Sequence, residues 1–443
     1  MNYLIALTFM ILFLFNCISC SQQGVKHATN PKVTSQIAKK ATNNDAVIVR
    51  SALEKQIQSM FENKKYTELD AMADEFRTTK SRFLDGEWKL QTFYTAFDLG
   101  TNNPDSEFDK YFKLAEEWQK VRPSSITAQC VLAKVWLDYA WHARGGGYAS
   151  EVKENTLQIV NERVDKAWKI VNKPLAPNVS ECPNRLNLIL RLARARGVDK
   201  NTFESFFQKA IRQEPGYYQH YEVKAVYLEP KWGGEEGDWQ KFINKVLKQN
   251  PLGEGASIYT RTAWTLHRRQ DWVTYDNSGI SWDKMKEGFT EINRNYPGSM
   301  WNINFFAKFA CLAKDKETLV ELLKQVDSGV KYNNAWRDIN MDDCRDFADG
   351  QTFPKSPEER IFRDILKKGE RGDRRTFSFL GYRYLNGNGT QADPVAAYAW
   401  LAQDESENKK LLADVIKILS AAQLQQAKLK AEELRLKLSQ LNR

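Results

Sequence analysis

Histidines and paired carboxylates are the side chains of this chain that could carry acid/base chemistry. His142 follows Asp138 by one helical turn, a spacing at which a carboxylate can orient an imidazole. The acidic pairs at 235–236 and 342–343 could in principle serve a hydrolase, although adjacent carboxylates in charged loops are usually solvated. No serine or cysteine nucleophile stands in a recognised motif near them, and the sequence has no HExxH pair. The sequence therefore assigns no catalytic residue and no metal ligand, and it contains no cofactor motif.

The other histidines do not change this conclusion. His220 is flanked by Tyr218 and Glu222, and we interpret it as a hydrogen-bonded structural histidine. His27 lies in a polar N-terminal stretch, and His267 has no catalytic motif around it.

Two glycine-containing loops, at residues 144–148 and 231–239, are the best candidates for a ligand site. The first lacks the Lys-Ser/Thr ending of a phosphate loop, and the second is too acidic to hold an anion. In one interpretation the glycines end helices and the tryptophans fill joints between helix pairs. In the other, the loops form a ligand groove. The candidate groove residues are Arg144, Tyr148, Trp232 and Trp239.

Four cysteines lie beyond the N-terminal segment: Cys130, Cys182, Cys311 and Cys344. None forms a CxxC pair, so neither a metal site nor a redox motif is indicated, and three disulfide connectivities remain open. Because Cys130 and Cys311 lie in apolar helical stretches, we expect them to be buried as small hydrophobic residues.

Residues 1–19 carry no charged side chain and contain a short apolar run, which is typical of a secretion signal. The sequence Cys17-Ile18-Ser19-Cys20 resembles the lipobox of bacterial lipoproteins, although Cys17 stands where leucine is usual. The resemblance implies lipidation of Cys20, with residues 20–45 as a tether, and Ser21 implies sorting to the outer membrane. The expected location is the bacterial cell envelope, facing the periplasm or the exterior. A plain signal peptide or an uncleaved anchor is the alternative.

The chain is moderately basic, with 65 Lys and Arg against 56 Asp and Glu and a net charge of +9. The basic residues are spread along the sequence, and no nucleic-acid-binding motif is present. We therefore expect this charge to serve solubility or attraction to anionic lipid and glycan, and we expect no nucleic-acid partner.

Apolar residues recur at steps of three and four along most of the chain, as in Leu319, Leu322, Leu323 and Val326, which predicts amphipathic helices. Four times an apolar helical residue is followed five positions later by proline, which forbids further helix. These pairs are Trp118 with Pro123, Ala210 with Pro215, Val246 with Pro251, and Ile292 with Pro297. Such endings are typical of tetratricopeptide-like units, and their irregular spacing predicts an all-α solenoid of irregular helical hairpins.

Three segments together resemble an uncharacterised bacterial family, a domain of unknown function with tetratricopeptide-like helices. They are Arg-Gly-Gly-Gly-Tyr-Ala at 144–149, Glu-Pro-Gly-Tyr-Tyr at 214–218, and the tryptophan- and glycine-rich stretch 231–239. The resemblance covers about residues 50–350 and implies a fold but no activity.

Residues 376–403 resemble a Sel-one-like repeat, a relative of the tetratricopeptide unit found in scaffold proteins. Its motif positions are Leu380, Gly381, Tyr384, Gly387, Gly389, Asp393, Ala397 and Trp400. Asp393 is expected to cap the second helix, with Pro394 in its first turn. Thr390 departs from the usual pattern, and only one clear copy is present.

Ser420-Ala421-Ala422-Gln423 predicts a helix start by its capping-box pattern. The apolar seam that follows it indicates a helix capping the stack, or alternatively a dimerising coiled coil. The expected organisation is a signal peptide (1–19), a lipidated tether (20–45), a tetratricopeptide-like domain (46–350), a Sel-one-like region (351–406) and C-terminal capping helices (407–443).

The sequence predicts a non-enzymatic, membrane-anchored adaptor that binds an envelope protein or peptide on a concave surface rich in aromatic and basic residues. The alternative is an envelope enzyme or a glycan-binding module acting on cell-wall material through the loops at 144–148 and 231–239. The enzyme requires these loops to bring His142, His220 or Glu235 together.

Overall fold

The computed structural model describes residues 45–145, 154–269, 279–337 and 339–440. Within these ranges the chain is helical, and the nearest approach to a strand is an isolated bridge between Arg82 and Trp88. The predicted all-α class is therefore confirmed. The expected signal peptide and the lipidation site at Cys20 lie outside the described residues. Contacts divide the chain into two compact units, the first ending at Arg337.

The first unit is built from consecutive helices. They are α1 (Ala46–Glu62), α2 (Tyr66–Thr79), α3 (Lys89–Thr95), α4 (Asp105–Val121), α5 (Ile126–Arg144), α6 (Glu154–Val171), α7 (Pro183–Ala195), α8 (Lys200–Gln213), α9 (Gln219–Tyr227), α10 (Asp238–Gln249), α11 (Gly255–Arg269), α12 (Trp282–Asn295), α13 (Met300–Leu312) and α14 (Lys316–Ser328). Short 3-10 turns occupy Pro230–Trp232, Pro251–Gly253 and Asn333–Trp336. The helices alternate along the stack, since α5 packs against α6 and α7, α7 against α8 and α9, and α9 against α10 and α11.

The four prolines end helices in the manner that the sequence predicts. Helices α4, α8, α10 and α12 each stop two residues before one of them. The apolar residue five positions before each proline is buried in the core: Trp118, Ala210, Val246 and Ile292. Serines start some of the helices that follow: Ser125 Oγ accepts from Ala128 N at 2.9 Å, and Ser299 Oγ from Asn302 N at 3.3 Å. Proline and cap together set the sharp reversal between hairpins.

The first helix of this unit meets the last hairpin of the same unit. The Tyr332 hydroxyl donates to the carboxylate of Asp45, the N-cap of α1. Arg50 lies over the Trp301 ring of α13 at 5.7 Å. These contacts join segments more than 250 residues apart in sequence, so the stack of the first unit closes back on its own beginning.

The second unit contains α15 (Met341–Ala348), α16 (Pro357–Glu370), α17 (Phe377–Asn386), α18 (Pro394–Leu401), α19 (Glu405–Ile418) and α20 (Ala421–Gln440). Within the 342–343 acidic pair, Asp343 is buried and ion-paired to Arg360 at 2.8 Å. It is therefore not the solvated carboxylate that the sequence suggests.

The Sel-one-like motif residues lie on α17, on α18 and in the loop between them. Gly381 lies against Leu401, and a side chain there would collide with it. Gly387 ends α17 in the left-handed conformation with φ of +70°, which glycine adopts without strain. Asp393 accepts a hydrogen bond from Ala396 N at 2.9 Å and so caps α18. The apolar members Leu380, Ala397 and Trp400 are buried, while Gly389 approaches the Glu358 carbonyl and Tyr384 packs on the Phe362 ring at 5.0 Å.

The last helix begins at the expected capping box. Ser420 N donates to Gln423 Oε1 at 3.0 Å, and Gln423 N donates back to Ser420 Oγ at 3.3 Å. The apolar side of α20 packs on α18 of its own unit, where Ala427, Ala431 and Leu438 are buried. Much of the seam is therefore covered within the second unit.

The four cysteines fall into two classes. Cys130 and Cys182 are buried free thiols, whereas Cys311 and Cys344 are disulfide-bonded. Cys130 is thus buried as expected. Cys311 is buried too, but it is an oxidised cysteine and not only a small hydrophobic residue.

Candidate functional site

Of the candidate groove residues, Trp232 lies at a packed joint of the first unit. The Trp232 ring meets the Trp141 ring of α5 edge-on at 6.2 Å, and Arg194 of α7 lies over it at 4.7 Å. Arg144, at the end of α5, and Trp239, at the start of α10, are both buried. Tyr148 lies outside the described residues. Trp232 therefore packs between helices, in the manner of the first interpretation of the glycine loops, while the ligand groove stays a prediction.

The residues that an enzyme would need occupy separate environments. His142 Nδ1 contacts the Thr101 carbonyl at 2.8 Å, and its Nε2 lies 3.2 Å from Asp105. The expected orienting residue, Asp138, is instead ion-paired to Lys134. Glu235 is exposed in its loop.

His220 is fully buried beside the Tyr217 ring, at 5.0 Å between ring centroids. Neither of its ring nitrogens has a hydrogen-bond partner among the described residues, so its interpretation as a hydrogen-bonded histidine is wrong. Burial lowers the pKa of His220 to about 3, and the ring is therefore neutral at physiological pH.

Residues 82–88, which we call the inner turn, are contacted by several helices of the first unit. Phe83 N donates to Glu87 O at 2.8 Å, and Gly86 N donates to Phe83 O at 3.0 Å. Gly86 has φ of +85°, and a Cβ there would lie 2.5 Å from Arg261 Nη2. Only glycine fits both restrictions, so the turn is shaped to its surroundings.

Side chains from four helices hold the acidic tip of the inner turn. Arg50 of α1 forms an ion pair with Asp85 at 2.8 Å. Arg261 of α11 donates to the Asp85 carbonyl at 2.7 Å, and Asn302 of α13 donates to the same oxygen at 3.2 Å. At the start of α9, Tyr218 and Gln219 donate to the Glu87 carboxylate. The turn is thus bound within the chain much as an acidic peptide would be bound by another protein.

Burial is the dominant influence on Glu87. It raises the pKa of the Glu87 carboxyl above its ordinary value, against the opposing charge of Arg50. The Glu87 carboxylate is therefore paired with donors of the chain but poorly solvated. The basic and aromatic residues expected to form a concave binding surface are partly used here, by the chain itself.

A groove of about 250 Å³ opens between α8 and α10, with α9 beneath it. We call it the outer groove. Its lining combines apolar and aromatic side chains with polar and charged ones. It is lined by Glu204, Phe207, Gln208, Ile211, Pro215, Tyr221, Lys224, Phe242, Lys245, Val246, Gln249 and Pro251.

Lys224 is the charged group deepest in the outer groove. Its Nζ lies 4.1 Å from the centre of the Phe207 ring and 4.6 Å from that of Phe242, and it is ion-paired to Glu204. Burial lowers the pKa of Lys224, against the effect of that partner. Lys245 lies exposed at the edge. The groove thus offers an apolar floor beside positive charge, and none of these residues was singled out from the sequence as a binding residue.

Metal-ligating clusters and membrane-spanning helices are both lacking in the described part of the chain. No group of three or more His, Cys, Asp or Glu side chains there could hold a metal ion. No helix in those ranges has both the length and the apolar character needed to cross a bilayer.

Comparison with known proteins gives limited matches. The family model described as "Domain of unknown function (DUF4034)" matches residues 53–170. None of the curated proteins matches the chain. Among solved structures, the chain is similar to c5321, a protective antigen of uropathogenic Escherichia coli strains displaying an SLR fold. The identity is 13%, the match covers 91% of this chain and 94% of that chain, and the TM-score is 0.23.

Proposed function

We propose that the protein is an interaction scaffold whose first unit binds a peptide segment of a partner in the outer groove. The observation that carries this proposal is the groove itself, a solvent-open cleft of about 250 Å³ with an apolar floor between two helices of a hairpin stack. Small-molecule sites are commonly about 300–1,000 Å³. The smaller volume suits one or two anchoring side chains of a peptide.

The chemistry of the groove specifies the anchor. Phe207, Phe242 and Val246 are buried and supply the apolar contact. Lys224 is already neutralised by Glu204, whereas Lys245 stands exposed at the edge. An aromatic or aliphatic side chain next to an acidic residue therefore complements the groove best.

The proposal includes no reaction. His142, His220 and Glu235 lie in three different environments, and Trp232 of the second glycine loop packs against Trp141. Nothing in this arrangement favours the alternative of an envelope enzyme or a glycan-binding module.

We further propose that the scaffold is an envelope lipoprotein anchored through Cys20. The lipobox-like sequence supports this, and so does the disulfide-bonded state of Cys311 and Cys344, since disulfides persist in oxidising compartments. Replacing Cys20 by Ser should move the protein from the membrane fraction to the soluble fraction. Metabolic labelling with palmitate should be lost in the same variant, and retention of the label would contradict the anchor.

Peptide selection tests the outer groove. We expect a displayed random-peptide library, screened on the full chain, to yield sequences with an apolar residue next to Asp or Glu. Ile211→Glu places a charge inside the groove, so it should weaken binding of a selected fluorescent peptide at least tenfold, about 1.4 kcal/mol.

Arg212→Glu is the control for this substitution. Arg212 lies on the same helix, is exposed, and does not line the groove. It should keep the affinity within about twofold, as surface substitutions usually do. Equal affinities of the wild type and Ile211→Glu would overturn the proposed site.

A further inference from the structure

Cys130 and Cys182 are two buried free thiols of the first unit that the proposed binding function does not use. Cys130 lies inside α5, and Cys182 is the residue just before α7. Both are 0% exposed. They are 52 positions apart in sequence and lie on helices that pack against each other.

Hydrogen bonds next to each cysteine hold the two helix starts together. The Lys173 carbonyl accepts from Gln129 Nε2 at 3.3 Å and from Arg185 Nη2 at 3.3 Å. Gln129 precedes Cys130 directly, and Arg185 lies three residues after Cys182. One carbonyl therefore fixes the neighbours of both thiols.

The two thiols also share their immediate surroundings. The side chains of Cys130 and Cys182 interact with each other, and the Tyr94 hydroxyl lies 3.5 Å from Cys182 Sγ. Arg77 Nη1 is buried, and the Arg77 guanidinium acts on Cys182 both by its charge and as a hydrogen-bond partner. The pair thus lies in a closed, electropositive environment.

This environment favours a thiolate on one of the two residues. Burial pushes the pKa of Cys182 up, but the hydrogen bonds of Cys130 and Tyr94 and the charge of Arg77 outweigh it and lower the pKa to about 5. Burial raises the pKa of Cys130. A thiolate beside a thiol is the arrangement from which disulfide exchange proceeds.

We propose that Cys130 and Cys182 form a disulfide that crosslinks α5 to the start of α7. The oxidant is a disulfide, either of a protein oxidoreductase or of a small thiol. The Cys182 thiolate attacks one sulfur of that disulfide and releases a thiolate, which takes up a proton. The Cys130 thiol then loses its proton, and its sulfur attacks Cys182 to release the second thiol. Two protein thiols are oxidised, and one external disulfide is reduced to two thiols.

Burial of both sulfurs dictates when the bond forms. An external disulfide must reach Cys182 before α5, α6 and α7 close around it, so oxidation belongs to folding. Once made, the bond is shielded from reductants by the same packing. Together with the oxidised Cys311 and Cys344, this would leave no free thiol among the four cysteines beyond the N-terminal segment.

Refolding of the full chain with mass spectrometry tests the proposal. The reduced, unfolded chain is refolded in excess oxidised glutathione, alkylated, and digested without reduction. We expect one peptide pair that joins Cys130 to Cys182 and is lighter by two hydrogens than the sum of the free peptides. A parallel sample treated with diamide ensures that the oxidant is not limiting. Alkylated Cys130 and Cys182, or their separate glutathione adducts, in the folded diamide sample would overturn the proposal.

Thermal unfolding gives a second readout. The Cys130→Ala/Cys182→Ala double variant keeps Cys311 and Cys344, so it reports the contribution of the other oxidised cysteines. Refolding with reductant in place of oxidised glutathione should lower the Tm of the wild type by roughly 5 °C or more beyond the shift in the double variant. Equal shifts in both proteins would contradict the crosslink, and circular dichroism at 222 nm confirms that both are folded.

Discussion

Helix α9 contributes to two regions of the first unit that use similar residues in opposite ways. At its start, Tyr218 and Gln219 hold the inner turn. Farther along the helix, Tyr221 and Lys224 line the outer groove. The inner turn is an acidic segment of the chain whose Asp85 is buried and held by distant helices, whereas the outer groove is open to solvent.

The difference between the two regions is one of solvation. In the inner turn, Asp85 has a side-chain exposure of 2% and is balanced by Arg50 and by donors from distant helices. Removing one member leaves a charge without water or partner, which is costly. In the outer groove, Lys245 can be solvated whether or not a partner is bound. We therefore expect the inner turn to govern stability and the outer groove to govern binding.

The ion pair of the inner turn should give the largest effect. Arg50→Met keeps most of the side-chain volume but leaves Asp85 without its cation, and we expect it to cost about 3–5 kcal/mol of unfolding free energy. Guanidinium unfolding followed by circular dichroism measures this loss.

Lys324→Met is the matched control, since it breaks an ion pair with Glu321 in which both side chains are 65% exposed. It should cost less than about 1 kcal/mol. If the two variants lost similar amounts, burial would not be what distinguishes the inner turn.

Gly86→Ala should have the next largest effect. The new Cβ would lie 2.5 Å from Arg261 Nη2 and 2.6 Å from the Tyr296 ring, at a φ of +85°. Strain and overpacking together should cost about 2–4 kcal/mol in urea unfolding.

Gly197→Ala separates these two contributions. Gly197 also has a positive φ, of +63°, but a Cβ there meets no atom within 4 Å. The Gly197→Ala control should lose only about 1 kcal/mol of unfolding free energy, which is the contribution of backbone strain alone. A loss of that size at Gly86 as well would mean that the turn yields to the extra methyl group.

The buried His220 makes the stability of the first unit depend on pH. Its pKa is about 3 in the fold and 6.5 in the unfolded reference. The unfolded state thus binds the proton more tightly, and the stabilisation is lost as the pH falls below 6.5. As the pH falls from 7 to 5, this residue should lower the unfolding free energy by about 2 kcal/mol.

His220→Leu removes the titrating group and keeps an apolar side chain of similar size. Urea unfolding of both proteins at the two pH values isolates the contribution of the histidine. The unfolding free energy that is lost between pH 7 and pH 5 should be about 2 kcal/mol smaller in the variant than in the wild type. Parallel pH profiles would show that the ring reaches water or a partner in the folded state.

Local chemistry explains which parts of this fold the sequence predicts. The helix ends near Pro123, Pro215, Pro251 and Pro297 follow from the missing amide hydrogen of proline and from the apolar residue before it. The helix starts at Ser420 and Asp393 follow from side chains that bond to nearby amides. Each feature involves residues within a few positions of one another.

The inner turn could not be placed in this way. Asp85-Gly86 is a recognisable turn signal in the sequence, but its partner Arg261 lies 176 positions away. Nothing in the local pattern specifies that contact. The sequence did not indicate the outer groove for a different reason. Phe207 and Phe242 have the helical spacing of ordinary core residues, so the local pattern predicts packing and not binding. Only the gap left between α8 and α10 distinguishes them.

Charge reversal at the edge of the outer groove should give the smallest effect on stability. Lys245 is exposed, so Lys245→Glu should change the unfolding free energy by less than about 0.5 kcal/mol. The same change should weaken the binding of an acidic peptide selected on the groove. This loss of affinity should be smaller at high salt because exposed charges are screened. Lys248→Glu, on the same helix but outside the groove lining, should leave both quantities unchanged. If the two variants weaken peptide binding equally, the attraction is a general property of the basic surface. The outer groove would then bind the acidic peptide no better than the rest of α10 does.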